Sequence, residues 1–380
     1  MAENKSQHFV PQFYLKYFSI NSLEKSIGIF SLPSSKFIKS GSIKKQAAED
    51  YFYGSDLIVE KALSKIEGIA ASSINRIINT NTLPKRMSDE HDTILTFIML
   101  LHARTVYSLD RTNELIEKVA RSVLSKDSRF TDELDKFNFS ITYGINRLLK
   151  ETILLIPLVY DLQFKIISNR TDVPFITSDH PVVLYNHFLE SRKKFGSNTG
   201  FACKGLEMLV PLSPNHMLIF FDKDVYKIGG KDKQIIDVTS ISDIDSLNFL
   251  QCLSANENIY FNHQITEPYI LKLLQKVNIY KRDSKANIDE FLQIKNKDIQ
   301  EKQILLHSYN SDIKCNLSLS FIHTLKKAKK YEIGDKVSHV RNEELCRLYD
   351  HFRELTKKGE YHISEFNKFL RDVQKHHDIF

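Results

Sequence analysis

The chain has 380 residues, of which 42% are hydrophobic, 26% charged and 11% aromatic. This composition is typical of a folded globular protein and argues against wholesale disorder. Lys and Arg outnumber Asp and Glu by 53 to 47, giving a net charge of +6. Such an excess suits a phosphate-bearing partner, with RNA favoured, but it also fits a lysine-rich solvated surface.

The four cysteines lie far apart and form no C-x-x-C pair, which argues against a zinc ribbon. Their sparse use predicts a reducing, cytoplasmic location. Residues 1–9 lack the apolar run of a cleavable signal. The most apolar run, 94–103, is short of the roughly 20 residues that span a bilayer. We therefore expect no membrane association, and the sequence indicates neither a metal nor another cofactor.

The first elements along the chain are a predicted hairpin and a series of helices. Short apolar runs broken by Pro33, Gly41 and serines predict the hairpin. From about Asp56, apolar residues recur every three or four positions, which predicts an amphipathic helix. The next helix should begin after Ser88, a capping residue, and continue without a break through residues 93–109. A further helix precedes Pro157.

The apolar pattern then changes to the period of strands, which predicts a central sheet. Its strands are expected within residues 158–167, 173–185 and 206–222, followed by a helix at 240–256 and two short edge strands at 258–261 and 278–282. From about Lys285 the chain is rich in Lys, Asp and Gln and is predicted to be helical.

These elements predict an α+β protein with a central, mostly antiparallel sheet, an N-terminal helical layer and a helical C-terminal extension. We expect one α+β domain over residues 1–284, helix-rich at 56–156 and strand-rich at 157–284. A boundary near residue 285 would separate it from the extension, 285–380.

Arg104 follows a helix that is apolar on almost every side, which indicates that this helix is buried. A guanidinium in such surroundings needs a carboxylate or a bound anion. Asp179 is the expected partner. The pair would either belong to an active site or only stabilise packing.

Two polar turns follow predicted strands, where functional sites are often built. The first, T-S-D-H-P, presents Ser178, Asp179 and His180 together, although these residue types are also common turn formers. The second, P-L-S-P-N-H, carries Ser213 and Asn215 as neutral hydrogen-bonding groups, and it also reads as an ordinary turn.

The stretch HFVPQFYLKYF, which begins at His8, mixes aromatic and polar residues without one clear period. Pro11 is tolerated in the first turn of a helix, so a helix can begin there. His8, Gln12 and Lys16 would then lie roughly on one polar side. A histidine is the natural general acid or base at neutral pH, yet one this near an N-terminus is often incidental.

The ordered motifs HFVPQFYLKYF, AAEDYFYG, ARTVY, PFITSDHPVV and PLSPNHMLIF resemble an uncharacterised bacterial family, domain-of-unknown-function family 4238. The resemblance covers roughly residues 8–281. It carries no settled activity, so it marks positions without naming their chemistry. The motif positions in this chain are His8, Pro11, Gln12, Tyr14, Arg104, Ser178, Asp179, His180 and Pro181.

The leading functional hypothesis is a metal-independent, RNase-like nuclease of a bacterial defence or toxin system. His8 or His180 would exchange protons, Arg104 would neutralise charge developing on phosphorus, and Asp179 would orient a histidine. The expected substrate contacts come from Gln12, Tyr14, Lys16, Ser178, Ser213 and Asn215.

Two alternatives remain open. A non-catalytic regulatory or sensor module would use the same polar pocket for a ligand, with the C-terminal helices binding a partner protein. Arg371 and His376 have a spacing like that of a class of helical ribonucleases, but so loose a pattern arises easily by chance. Metal-dependent chemistry is disfavoured, since it needs clustered carboxylates and the sequence offers only Asp179 with Glu49 or Asp50.

Overall fold

A computed structural model describes residues 5–20, 24–127, 129, 144–230, 232–296, 301–331, 339–359 and 365–374. The helices in these ranges are α1 (Gln12–Lys16), α2 (Ile58–Thr80), α3 (Asp89–Ala103), α4 (Val106–Leu124), α5 (Gly144–Leu155), α6 (His187–Glu190), α7 (Ile241–Ser254), α8 (Glu267–Val277), α9 (Lys326–Lys329), α10 (Glu343–Lys357) and α11 (Phe366–Gln374).

The strands are β1 (Ser6–His8), β2 (Ser26–Ser31), β3 (Lys36–Ser42), β4 (Ala48–Asp50), β5 (Gln163–Asn169), β6 (Thr177–Ser178), β7 (Val183–Tyr185), β8 (Glu207–Ser213), β9 (His216–Phe221), β10 (Tyr226–Ile228), β11 (Ile235–Val238), β12 (Asn258–Phe261), β13 (Ala286–Asn296), β14 (Glu301–Asn310) and β15 (Ile322–Thr324).

Two sheets form the centre of the protein. The larger has the strand order β11-β5-β9-β8-β7 and the smaller has the order β3-β2-β12-β6. Among the strand pairs that the structure describes, only the β11–β5 pair is parallel. Helices precede and follow the strands of these sheets along the chain. The arrangement confirms the predicted α+β class and the mostly antiparallel pairing.

The five-stranded sheet is buried on both faces. Leu218 and Phe220 of β9 lie in one core with α2 and α3, whereas Met217, Ile219 and Phe221 lie in a second core with α7. Successive side chains of a strand point to opposite faces, so both sets must be apolar. This explains why the strand-rich region reads as nearly continuous hydrophobic runs.

The helix after Ser88 begins as predicted but ends earlier. The Ser88 side chain accepts a hydrogen bond from the His91 amide at the start of α3. The predicted continuous helix through residues 93–109 is wrong, because α3 ends at Ala103 and α4 begins after Thr105. The Thr105 hydroxyl caps α4 by accepting from the Ser108 amide, which stabilises this break.

The region after Lys285 was predicted to be helical, and its first part is not. Strands β13 and β14 form an antiparallel hairpin with Ala286 opposite Asn310. The hairpin packs against α4, where Ser122 and Lys126 contact Glu290. Strand pairing and the contact with α4 stabilise this hairpin, and the local composition indicates neither interaction.

The helices α10 and α11 do follow near the C-terminus, as predicted. Their apolar residues Leu345, Phe352 and Phe366 belong to the same core cluster as α2 and α3. Arg341 forms a buried ion pair with Asp161, with two N–O distances of 2.8 Å. The domain boundary near residue 285 stays a prediction. Within the described ranges, no helix combines the length and apolarity needed to cross a membrane.

Candidate functional site

The N-terminal motif places a short strand and a short helix against the core. β1 pairs with β4, so that His8 lies opposite Ala48. Pro11 immediately precedes α1, as predicted, because its missing N–H costs nothing in a first turn. Leu15 and Phe18 have no exposed surface. The aromatic half of the motif therefore anchors the segment by packing.

Arg104 connects three of the sequence motifs. Its guanidinium donates to the Tyr53 hydroxyl at 2.8 Å, to the Glu67 carboxylate at 2.5 Å and to the His8 carbonyl at 2.6 Å. The predicted partner Asp179 was wrong, because Glu67 on α2 supplies the carboxylate. The Arg104 side chain is only 2% exposed. These contacts describe a buried cation that holds the N-terminal motif onto α2 and α3.

The His8 side chain is half-buried beside this cluster. Its Nε2 lies 3.2 Å from the Lys44 carbonyl, which can only accept, so this nitrogen carries the proton. Burial lowers the pKa of His8, and the positive charge of Arg104 lowers it further. At neutral pH His8 is therefore a neutral imidazole whose Nδ1 remains an acceptor.

The predicted substrate contacts on α1 are dispersed. Tyr14 has no exposed surface, and its hydroxyl donates to the Pro211 carbonyl at 2.5 Å and lies 3.0 Å from the Thr177 hydroxyl. Gln12 is half-buried. Lys16 forms a surface ion pair with Glu24 at 3.3 Å. Tyr14 therefore links the motif to the sheet rather than facing a ligand.

Asp179 is held by the main chain. Its carboxylate accepts from the amides of Asn256, Glu257 and Asn258 at 2.7–2.9 Å, immediately before β12. The prediction that Asp179 orients a histidine is therefore wrong, since both carboxylate oxygens are engaged by these amides. Burial raises the pKa of Asp179 to about 6, although the three amides act in the opposite direction. The residue orders the loop that enters β12.

Strand β12 itself differs from its predicted edge position. It pairs with β2 on one side and β6 on the other, so 258–261 is an inner strand. The second predicted edge strand, 278–282, is wrong, because these residues form the turn that follows α8 and pair with none of the described strands. Ser178 lies on β6, where its hydroxyl donates to the Gln251 side chain at 3.1 Å. The turn after β6 is thus fixed by α7 and by the loop before β12.

His180 faces a different set of groups from His8. Its Nδ1 lies 2.7 Å from the Thr105 hydroxyl, and its ring centroid is 4.6 Å from Tyr107 and 5.0 Å from His102. Burial lowers the pKa of His180 well below the usual value, and the nearby His102 and Arg111 lower it further. The four predicted catalytic residues therefore form two separate groups, one around Arg104 and one around the T-S-D-H-P turn.

Ser213 and Asn215 lie at the turn between β8 and β9. The Ser213 hydroxyl is 3.0 Å from Nδ1 of His216, whose Nε2 is 3.1 Å from the side chain of Asn81 at the end of α2. Asn215 is exposed. These contacts tie the turn to α2. Among the other predicted site residues, Tyr14 bonds to Pro211, the first residue of the P-L-S-P-N-H segment, and not to Ser213 or Asn215.

Residues 6–264 match the model of a family described as Protein of unknown function (DUF4238). The chain belongs to this family. All of the motif positions named above lie within the matched residues. No curated protein and no solved structure gives a significant match to the chain. The family motifs accordingly mark shared structure, and any activity has to be argued from the geometry of the site.

A groove of about 840 Å³ lies where the matched region of this family member meets the residues that follow it. One wall is largely apolar and consists of Phe30, Leu32, Leu253, Leu274, Val277 and Tyr280. The lining also carries Tyr107, Asn256, Lys281, Arg282, Ser284 and Lys285. We call this feature the Tyr107 groove. Its volume lies in the usual range of small-molecule sites.

Two cations lie over the ring of Tyr107. The Arg282 guanidinium carbon is 5.3 Å and the Lys285 ammonium 5.2 Å from the ring centroid. Lys285 also contacts the Asp110 carboxylate at 2.6 Å and the Asn256 side chain at 3.1 Å. Since the Tyr107 ring also contacts the His180 ring, one aromatic side chain joins the groove to the T-S-D-H-P turn.

Arg282 has no carboxylate partner among the described residues. It donates to two main-chain carbonyls, Ser311 at 3.1 Å and Leu253 at 2.9 Å, which leaves its positive charge uncompensated. Glu114, also in the groove, is paired with Lys118 at 2.7 Å. A charge of this kind at the wall of a groove attracts an anionic ligand group.

Sequence reasoning did not find Arg282 and Lys285, and it quoted Tyr107 only as part of a motif. Nothing in the spacing of these residues indicates that they converge, since 175 positions separate Asp110 from its partner Lys285. The one available signal was the aromatic residue following Arg104 in A-R-T-V-Y.

Two further sequence predictions concern residues at the C-terminus and a metal. His376 lies outside the described residues, and Arg371 is described only as part of α11, so their ribonuclease-like spacing remains untested. Among the residues that the structure describes, no three His, Cys, Asp or Glu side chains converge in the manner of a metal site.

Proposed function

We propose that this protein is a ligand-binding regulatory module that binds a small amphipathic anion in the Tyr107 groove. The observation that supports this most directly is Arg282, whose guanidinium contacts two neutral carbonyls and the Tyr107 ring at the groove but no carboxylate among the described residues. The ligand class that fits has an apolar or ring-shaped part and a phosphate or carboxylate group, as nucleotides do.

The apolar wall would take the ring-shaped part of this ligand. Leu253 and Phe30 are buried residues of the second core cluster, so this wall is backed by well-packed structure. Leu271 and Gln275 on α8 lie at the exposed rim. A rigid apolar wall with few polar groups is the usual construction of a small-molecule site.

The cationic part would take the anionic group. Lys281, Arg282 and Lys285 line the groove together with two carboxylates, Glu114 and Asp283. Glu114 is already paired with Lys118, and it also accepts from the Lys285 amide at 3.0 Å. The net charge of the groove lining therefore favours binding of an anionic ligand over a cationic one.

The position of the groove supports a regulatory use of binding. Arg282 bonds to Leu253 in the matched region and to Ser311, which follows the hairpin of β13 and β14. A ligand that contacts both walls would favour the arrangement in which this hairpin is held against the family region. A ligand shifts the equilibrium between two arrangements by the difference between its binding free energies for them.

The proposal predicts that substitutions at the groove change ligand affinity in a charge-dependent way. Binding would be screened by thermal shift with nucleoside mono- and triphosphates, cyclic nucleotides and dicarboxylates, and measured by calorimetry. Arg282→Gln should weaken binding of the best ligand more than about ten-fold, since a charge-assisted hydrogen bond is lost. Gln275→Glu adds a negative charge at the exposed rim without changing shape, and should weaken binding two- to five-fold at low salt.

Gln275→Lys is the matched control, because it alters the same exposed position with the opposite charge. It should leave affinity unchanged or improve it. Equal effects of the two Gln275 variants would exclude an anionic ligand in this groove. If no compound of the panel stabilises the wild-type protein, the proposal of a small anionic ligand fails.

A nuclease of a defence or toxin system, acting on RNA without a metal, is the second candidate. The observation that favours it is the pair of imidazoles, His102 and His180, next to the cations Arg111 and Arg282. Burial lowers the pKa of His102 to about 3, so both rings are neutral at pH 7. Neither ring is the protonated imidazolium that a general acid needs at pH 7, and pKa values this low also make both rings weak bases, which is why binding is preferred here.

The nuclease candidate predicts growth arrest with degraded RNA when the wild-type chain is induced in cells. His180→Ala should restore growth and intact RNA at an equal level of soluble protein, whereas His263→Ala, at an exposed position, should not. Intact RNA and DNA on gels from the wild-type culture would argue against this candidate.

Location and partners are proposed on similar grounds. All four cysteines are free thiols, which fits a reducing cytoplasm. A protein partner that binds the C-terminal helices would contact their polar faces, because Leu345, Phe352 and Phe366 are buried in the core.

A further inference from the structure

We infer that the small cavity lined by Arg111, His102 and His180 is a binding site for one small inorganic monoanion of the size of chloride. The cavity has a volume of about 30 Å³ and shares Tyr107 and Arg282 with the lining of the Tyr107 groove. We call it the Arg111 cavity. The inference depends on Arg111, which does not line the groove.

The central observation is the Arg111 guanidinium. Arg111 lies in the second turn of α4 and lines the cavity with His102 and His180. It makes no hydrogen bond or ion pair with any residue that the structure describes. Arg111 is half-buried, and a guanidinium that is partly withdrawn from water without a protein partner is expected to bind a partner from solution.

The charges that face the cavity sum to a positive value. Arg111 and Arg282 are the cationic groups, and Asp312 is the carboxylate of the lining. The Asp312 carboxylate is occupied by the Ser197 hydroxyl at 2.9 Å and the Thr199 hydroxyl at 2.5 Å, as well as by a main-chain amide. One monoanion beside Arg111 would balance the remaining charge.

The neutral histidines supply further polar surface. Nδ1 of His102 lies 3.3 Å from the Val182 carbonyl and therefore carries the proton of that ring. Nδ1 of His180 is engaged by Thr105 at 2.7 Å. When Thr105 donates in this contact, the proton of His180 lies on Nε2, which has no partner among the described residues and is available to an anion.

The size of the cavity decides the class of anion. A volume of about 30 Å³ accommodates one or two species the size of water. Chloride or bromide fits this space, whereas phosphate or a nucleotide does not. The cavity and the groove would therefore take different species, although Tyr107 and Arg282 line both.

The test is a chloride titration of the full chain at constant ionic strength, with sodium gluconate replaced by sodium chloride. The midpoint of thermal unfolding should rise and saturate with chloride for the wild-type protein. The apparent chloride affinity should be at least ten-fold weaker in Arg111→Gln. Arg353→Gln removes the same charge from an exposed position of α10 and should behave as wild type.

Crystals of the wild-type protein in sodium bromide provide a direct measurement that needs no variant. An anomalous peak next to the Arg111 guanidinium is expected. If Arg111→Gln does not fold, Arg111→Lys replaces it and should retain weakened binding. The inference is overturned if the bromide crystals show no peak in the cavity, or if chloride stabilises Arg111→Gln and wild type with equal affinity.

Discussion

Replacing Arg104 by Ala should lower the free energy of unfolding by about 3 kcal/mol or more. The substitution removes the cation that Glu67 faces and leaves the His8 carbonyl and the Tyr53 hydroxyl without their donor. Buried polar groups that lose a partner bear the full cost of their desolvation. Urea unfolding at pH 7, followed by circular dichroism, measures the effect.

Arg76→Ala is the matched control, because Arg76 also pairs with a glutamate, Glu90, but at side-chain exposures of 40% and 33%. An exposed pair of this kind is worth less than about 1 kcal/mol. Similar losses for the two variants would contradict the assignment of Arg104 as a structural cation. A catalytic Arg104 would instead show near wild-type stability with loss of an activity.

The stability contributed by Asp179 should fall by about 3 kcal/mol as the pH rises from about 4 to about 6. Burial raises the pKa of Asp179 from 3.8 to about 6, so the folded state binds its proton more tightly than the unfolded state. The contribution is fully present below pH 4 and is lost as the pH rises through 6. A carboxylate whose pKa is lowered by folding shows the reverse dependence.

The measurement is the difference in unfolding free energy between wild type and Asp179→Asn at half-unit steps of pH, in which other titrating groups cancel. Asp237→Asn, which changes a carboxylate that is 57% exposed, is the control for the substitution itself. A wild-type advantage over Asp179→Asn that grows with pH would mean that the three amides outweigh burial.

The elements that sequence reasoning predicted correctly are those with strong local signals. The spacing of apolar residues after Asp56 and the capping residue Ser88 identify α2 and α3, because both signals act within a few residues. The hairpin of β13 and β14 was missed, since its stability comes from strand pairing and from packing on α4.

For the candidate site, the motifs identified important positions but not their partners. Arg104 is buried and has a carboxylate partner, as a buried cation requires, but this partner is Glu67 and not Asp179. Asp179 is likewise buried and fully hydrogen-bonded, but by main-chain amides. The need for a partner follows from residue type and burial, whereas the identity of the partner depends on which elements meet.

The sequence by itself determined the α+β class, the start of the main helices, the apolar strands of a sheet buried on both faces, and family membership through its motifs. Each of these depends on local periodicity or on short ordered motifs. Only the tertiary structure decided that Tyr107, Arg282 and Lys285 converge at one groove and that Arg111 faces a cavity without a partner. These groups lie on elements far apart in the chain, and contacts between such elements are set by the packing of the whole core.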